Sequence, residues 1–264
     1  MTNNRLRELF EKKSSGVLSV YFTAGFPDLN DTLEIAILLE QAGADLIEIG
    51  IPFSDSLVDG PTIQHANQIA LNNGMSLELL FSQLKDLREK VSIPVVLMGC
   101  INPIVQFGIE AFCQQCHRAG VDSVIIPDLP PEEYQENYRH LFDQYSISNN
   151  FLITSRTPLD RIKYIDSISA GFIYVVSSDS TTGNHLQIDN DRLEYFKSIK
   201  MLGLTNPLMV GFGITDRLSF EAATQHASGG IIGSAFIKAL EGDTGTLDQR
   251  IKNFVSPIAE CREA

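Results

Sequence analysis

The segment "DTLEIAILLEQAGADLIEIGIPFSDSLVDGP", residues 31–61, contains a helix pattern, a strand pattern and a loop in succession. Its first part is amphipathic, begins with Asp31, which can accept the open N–H groups of a first helical turn, and ends at Gly43, which tolerates a left-handed cap. Leu46–Gly50 is a short apolar run of strand length. Two prolines and a glycine then interrupt the polar loop. The segment therefore predicts a helix and a strand with a loop at the strand's carboxyl end.

The same unit recurs along the chain. Alternating helix and strand patterns imply parallel strands joined by right-handed crossovers, and eight such units close into a (β/α)8 TIM barrel. "RLRELFEKK" near the start predicts an extra N-terminal helix that covers the bottom of the barrel. The eight predicted strands are Val17–Tyr21, Leu46–Gly50, Val95–Met98, Ser123–Ile126, Phe151–Ile153, Phe172–Val176, Leu208–Val210 and Gly230–Ile232.

An open, doubly wound sheet is the alternative α/β fold. Such a sheet ordinarily carries a GxGxxG-like turn after its first strand, and "YFTAGFPD" is not such a turn. We find no linker, low-complexity tract or internal repeat, and 264 residues suit one barrel. We therefore expect residues 1–264 to form a single (β/α)8 domain.

The composition narrows the choice of partner. A formal charge of −13 disfavours nucleic acid and anionic membrane as partners. No run of about 18 apolar residues predicts a membrane span. The N-terminus "MTNNRLRELFEKKSSG" lacks the apolar region of an export signal, so we expect a cytoplasmic protein.

Cys113 and Cys116 form a CxxC pair. A zinc site would need a second pair or nearby histidine ligands, and the sequence shows neither at a suitable spacing. We therefore expect no metal site and interpret the pair as two small residues of a helix.

Glu48 lies inside an apolar strand. Side chains alternate in a strand, so if Ile47 and Ile49 meet the helices, Glu48 points into the barrel near its carboxyl-terminal mouth, where such barrels place their chemistry. Burial there would raise the pKa of the carboxyl, and a group that titrates near neutral pH can both take and give a proton. The alternative is a structural glutamate held by a buried network.

Asp59 follows in the loop after this strand, between Pro52 and Pro61. We take it as the second acid of the site. An ordinary Asp-Gly turn is the alternative interpretation.

Three later strand ends are rich in glycine and hydroxyl groups: "YVVSSDSTTG", "VGFGITD" and "IIGSAF". Loops after strands seven and eight of such barrels often bind phosphate. Gly211, Gly213 and Gly233 would let backbone N–H groups approach an anion, and Ser234 would add a hydroxyl donor. On so acidic a protein, backbone dipoles would supply the local positive potential.

Three aromatic residues, Tyr21, Tyr174 and Phe212, lie between the acids and the glycine turns in this scheme. They suggest that the site accepts a flat apolar group. Plain core packing is the alternative for each ring.

Six motifs together resemble the tryptophan synthase alpha subunit along nearly the whole chain. They are "YFTAGFPD", "IEIGIPFSDSLVDGPTIQ", "NPI", "GVDSVIIPDLPPEE", "GFGI" and "GSAFIK", in the order and spacing of that family. The resemblance implies a retro-aldol lyase that cleaves indole-3-glycerol phosphate to indole and glyceraldehyde 3-phosphate. It also implies no cofactor on this chain and a pyridoxal-phosphate beta subunit as partner in an alpha2-beta2 complex.

The resemblance also implies roles for individual residues. Glu48 and Asp59 would be the catalytic pair, with Thr182 bracing Asp59. Loops 53–61 and 178–190 would shut out water, and Asp55 and Ser56 lie in the part that meets the beta subunit. Gly183, Gly213, Gly233 and Ser234 would hold phosphate, and Tyr21, Tyr174 and Phe212 would border the indole.

The sequence departs from the family pattern at three places. Ser56 stands where the family usually has proline, Cys100 and Ile101 stand where an aromatic usually precedes "NPI", and Ser178 and Ser180 alter the later loop. These departures motivate an alternative function, a regulatory alpha subunit that activates a beta partner with little turnover of its own. An isomerase of the same pathway would be expected to use a Lys or Cys in the barrel strands, and the predicted strands contain no lysine.

Overall fold

The computed structural model describes residues 5–176, 190–211, 213–242 and 244–260. Its strands form one parallel sheet in the order β5-β4-β3-β2-β1-β9-β8-β7-β6, which curls into a nearly closed barrel with helices around it. The predicted TIM barrel is therefore confirmed. The strands are β1 Val17–Thr23, β2 Leu46–Gly50, β3 Val95–Met98, β4 Ser123–Ile125, β5 Ser148–Asn150, β6 Leu152–Thr154, β7 Ile173–Val176, β8 Leu208–Gly211 and β9 Gly229–Ile232.

The fifth strand of the barrel is broken in two, which makes nine strands where the sequence predicts eight. β5 pairs with β4, β6 pairs with β7, and only Phe151 separates the two halves. The carbonyl of Phe151 accepts a hydrogen bond from the amide of Tyr174 at 2.9 Å. The predicted strand Phe151–Ile153 begins too late because the first half, "SNN", is polar and carries no apolar signal.

The helices occupy the connections that the alternation predicts. A 3-10 turn lies at Leu84–Asp86 and a π-helical turn at Tyr134–Tyr138. The helices are α1 Arg5–Lys12, α2 Thr32–Gln41, α3 Pro61–Asn72, α4 Leu77–Gln83, α5 Leu87–Lys90, α6 Ile101–Phe107, α7 Ile109–Ala119, α8 Pro131–Glu133, α9 Arg139–Gln144, α10 Leu159–Ile168, α11 Asn190–Lys200, α12 Arg217–Thr224, α13 Ser234–Leu240 and α14 Leu247–Ala259.

Two hydrophobic clusters lie on opposite sides of the strands. Ile47 and Ile49 of β2 belong to the outer cluster, between the strands and the helices. Leu46 belongs to the inner cluster, which fills the lumen of the barrel. This alternation leaves Glu48, on the same face as Leu46, inside the lumen.

Helix α1 closes the bottom of the barrel, as its position in the sequence predicts. Leu6 is fully buried in the inner cluster, and Leu9 and Phe10 pack against it. The ring of Phe10 lies 6.2 Å from that of Phe172, between centroids. The lower end of the lumen is thus filled with apolar side chains, so the upper end is the one open to chemistry.

Cys113 and Cys116 are both fully buried on α7, where they pack in the outer cluster. Over the part of the chain that the structure describes, no three His, Cys, Asp or Glu side chains are grouped to hold a metal ion. The helices in the same part are all too short or too polar to cross a membrane.

Candidate active site

Glu48 is fully buried on the lumen side of β2. Its Oε1 accepts a hydrogen bond from Ser19 Oγ at 2.8 Å, whereas its buried Oε2 has no hydrogen-bond partner among the described residues. Burial raises the pKa of Glu48 to about 7, against a smaller lowering by the Ser19 bond. A buried carboxyl with one free oxygen and a near-neutral pKa is suited to exchange protons with a ligand.

Asp59 stands at the end of the loop after β2, just before α3. Its Oδ2 accepts hydrogen bonds from Ser56 Oγ at 2.5 Å and from Asn67 Nδ2 at 3.3 Å. Burial raises the pKa of Asp59, and the bonds from Ser56 and Asn67 oppose that rise. The second predicted acid is therefore a held, partly buried carboxyl, not the exposed side chain of a simple turn.

The loop around Asp59 alternates between inward and outward side chains. Ser56 is only 4% exposed, although it was expected to lie toward a partner. Asp55 is exposed and accepts a hydrogen bond from Ser54, and Leu57 is 92% exposed. The side chain of Ser56 thus belongs to the site, while its neighbours face outward.

Tyr21 and Tyr174 border the same space from β1 and β7. Each hydroxyl lies over a glycine, Tyr21 over Gly50 and Tyr174 over Gly211, where any Cβ would collide with it. Burial, and then the negative charges of Asp59 and Glu48, raise the pKa of both phenols. Both tyrosines therefore stay protonated. Tyr21 is the register partner of Glu48 across β1 and β2, and it lines one cavity together with Asp59.

Gly233 and Ser234 lie where β9 passes into α13. A Cβ at Gly233 would touch the ring of Tyr21 at 3.5 Å, so this turn adjoins the tyrosine. Ser234 is the first residue of α13 and is exposed. Gly213 has φ +78°, a left-handed conformation that favours glycine. Three further predicted residues, Thr182, Gly183 and Phe212, lie outside the described residues.

A small cavity opens between the loop and the ends of the first strands. It reaches Asp59, Tyr21 and Ser56, and does not reach Glu48 or Gly233. Its complete lining is Tyr21, Ile51, Ser56, Val58, Asp59, Met98, Gly99, Cys100 and Pro127.

Larger clefts lie at the bottom of the barrel, around Asp122 and around Asp166. Their acids are already bonded to protein groups: Asp122 to Arg5 and Arg88, and Asp166 to Asn206. A ligand there would have to displace existing bonds, so size alone does not mark these clefts as the site.

Sequence reasoning missed the partners of the two acids. Ser19 shares the inward face with Tyr21, two residues later, so strand alternation alone identifies it as a neighbour of Glu48. Asn67 lies one turn after Gln64 on α3, and both side chains reach back to the Asp59 loop. Gln64 and Asn67 are three residues apart on the helix that begins at Pro61, so they lie on one face of it, and this spacing was the available signal.

Residues 8–263 match the family described as Tryptophan synthase alpha chain. The chain belongs to the tryptophan synthase alpha chain family. The alpha chain of Flavobacterium psychrophilum is 50% identical over 97% of this chain and 99% of its own length. That of Christiangramia forsetii is 50% identical over 97% and 98%.

Solved structures agree with these relatives. Tryptophan synthase subunit alpha from Legionella pneumophila aligns with TM-score 0.86 and 31% identity, covering 98% of both chains. A chain of Mycobacterium tuberculosis tryptophan synthase aligns with TM-score 0.87 and 27% identity, covering 97% of both. Membership of the tryptophan synthase alpha chain family makes this chain a lyase of tryptophan biosynthesis, as the resemblance implied.

Proposed function

We propose that this chain cleaves indole-3-glycerol phosphate to indole and glyceraldehyde 3-phosphate, with Glu48 as the general acid and base and Asp59 as the electrostatic partner. The observation that supports this most is the fully buried carboxyl of Glu48, whose Oε2 has no hydrogen-bond partner in the part of the chain that the structure describes and whose pKa is raised by burial to about 7. Such a group is populated in both protonation states near neutral pH, which a reaction with two opposite proton transfers requires.

The proton balance of the reaction suits one carboxyl. Glu48 gives a proton to indole C3, which leaves positive charge on the ring nitrogen. The glycerol hydroxyl then loses its proton to Glu48, its electron pair forms the aldehyde C=O, and the C–C bond electrons return to the ring. Asp59 accepts a hydrogen bond from the indole N–H, and this bond strengthens as the nitrogen becomes positive. Positioned proton transfer of this kind contributes about 10²–10⁴-fold to a rate.

The remaining predicted residues hold the two ends of the substrate. The indole would lie against Tyr21, Tyr174 and Phe212, and Thr182 would brace Asp59 from the later loop. The phosphate would accept hydrogen bonds from backbone N–H groups at Gly183, Gly213 and Gly233, and from the backbone and hydroxyl of Ser234. The turn at Gly233 adjoins Tyr21, since an added Cβ there would lie 3.5 Å from the ring, and this supports a path from the indole to the phosphate across this tyrosine.

A beta subunit that carries pyridoxal phosphate is the proposed partner, in an alpha2-beta2 complex, with no cofactor on this chain. Exposed apolar side chains in the loop after β2 and on α6, the helix after β3, support a docking face there: Leu57 is 92%, Val58 46% and Val105 51% exposed. Asp55 and the main chain of Ser56 would contribute to it. We also propose that residues 1–264 form one domain and act in the cytoplasm.

Indole release from indole-3-glycerol phosphate, measured with and without added beta subunit, tests the proposal. We expect release by the chain alone and faster release in the complex. Folded protein without turnover in either condition, but able to raise beta-subunit activity, would contradict the lyase proposal. That result would favour the regulatory role that the altered loops motivate.

A further inference from the structure

Ser56 is the one residue between Ser54 and Val58 whose side chain is buried. It is 4% exposed, whereas residues 54, 55, 57 and 58 are all exposed. Its Oγ donates to Asp59 Oδ2 at 2.5 Å, a short bond to a carboxylate. Hydrogen bonds to charged groups are roughly twice as strong as neutral ones. The loop thus turns a single hydroxyl inward, onto the acid of the site.

Cys100 completes the hydrogen bonding of this hydroxyl. Its buried thiol donates to Ser56 Oγ at 3.8 Å, a distance suited to sulfur. A serine oxygen that accepts from a thiol has one hydrogen of its own to give, and here that hydrogen goes to Asp59. Two of the positions at which the sequence departs from the family pattern, 56 and 100, are therefore in direct contact.

Helix α3 holds the loop in the shape that makes this bond. Gln64 Nε2 donates to the carbonyls of both Ser56 and Asp59, each at 3.0 Å. Asn67 gives the second hydrogen bond to Asp59 Oδ2. Among the described residues both donors bond to Oδ2, so Oδ1 remains for a donor on the substrate.

We propose that Ser56 is a positioning residue for the lyase reaction: its hydroxyl holds Asp59 Oδ2 so that Oδ1 meets the indole N–H. This inference rests on the proposed function, because it assigns Asp59 to the ring nitrogen. A hydrogen bond to the charged carboxylate is stronger than one to the neutral acid, so the hydroxyl also favours the ionised form against the opposing effect of burial.

Ser56→Ala removes the hydroxyl, and Ser56→Thr keeps it. Ser54→Ala is the matched control, because Ser54 donates a similar bond at 2.6 Å to the exposed Asp55 in the same loop. Two measurements apply to the full chain: kcat and KM for indole release as a function of pH, and the titration of Asp59 from infrared difference spectra against Asp59→Asn.

We expect Ser56→Ala to lower kcat roughly tenfold, which corresponds to the loss of one hydrogen bond to a charged group. Its Asp59 titration and the acid limb of its pH profile should both move to higher pH, since the charged form loses a donor. Ser56→Thr should stay close to wild type in kcat and in the Asp59 titration, and Ser54→Ala should match wild type in the same two measurements.

Equal losses in Ser56→Ala and Ser54→Ala would mean that the loop as a whole was disturbed, and would overturn the proposal. An Asp59 titration unchanged by Ser56→Ala would also overturn it. If the wild type releases no indole, the proposed function fails on that assay, while the titration still decides whether the hydroxyl holds Asp59.

Discussion

Two buried carboxylates of the barrel, Asp122 at the start of β4 and Glu48 within β2, have very different surroundings. The carboxylate of Asp122, just before β4, accepts three hydrogen bonds. The donors are Arg5 Nη1 at 3.1 Å, Arg88 Nη2 at 2.6 Å and the amide of Val95 at 2.8 Å. Among residues 5–176, 190–211, 213–242 and 244–260, Glu48 accepts one hydrogen bond, from Ser19, and its buried Oε2 has no partner. Burial raises the pKa of Asp122, and the two guanidinium groups and the Val95 amide oppose that rise. Burial also raises the pKa of Glu48, and there the hydroxyl of Ser19 opposes the rise.

We interpret this difference as the one between an acid that stabilises the fold and the proposed catalytic acid. A buried carboxylate with both oxygens bonded to cations stabilises its surroundings only while it stays charged, and removing it leaves the cations uncompensated. A buried carboxyl with a free oxygen costs stability when it is charged, and such cost is typical of sites that need a shifted pKa. In the proposed function, Asp122 therefore stabilises the fold and Glu48 carries the chemistry.

Glu48→Gln should give the largest effect on function. The amide keeps the size of the side chain and can still accept from Ser19, but it cannot transfer protons, so we expect indole release to fall by about 10²-fold or more. Thermal unfolding should show no loss of stability, because the change removes a poorly compensated buried charge. Retained turnover in a folded variant would mean that the wrong acid has been assigned.

Asp122→Asn should show the reverse pattern. Removing one partner of a buried ion pair typically costs about 3–5 kcal/mol, and we expect the lower end of that range because both arginines keep some exposure. Chemical denaturation measures the loss, and activity per folded molecule should stay near wild type. A variant that stays stable but loses turnover would contradict the distinction between the two acids.

Much of the fold was predictable from periodicity, because each strand needs one apolar run and each helix one amphipathic stretch. The inward direction of Glu48 followed from Ile47 and Ile49 on either side of it. The break at Phe151 was not predictable, since it arises because β4 pairs with the first half of the strand and β7 pairs with the second half. No local pattern marks such a choice of pairing partner.

The hydrogen bonds of the loop also could not be predicted from the sequence. The sequence predicts a loop at 53–61, but whether Ser56 faces inward depends on how α3 and β3 pack against it. The contact between Ser56 and Cys100 joins residues 44 positions apart. Side chains that meet across such a distance are found only once the strands are placed side by side.

Titration of Glu48 in the folded chain tests the central claim most directly. Infrared difference spectra of wild type against Glu48→Gln isolate the protonated carboxyl of this residue across a pH series, without substrate or partner. We predict that the carboxyl band disappears with a midpoint near pH 7, the value to which burial raises this pKa. A midpoint near 4.5, the ordinary value for glutamate, would show a solvated or compensated carboxylate and would contradict the account.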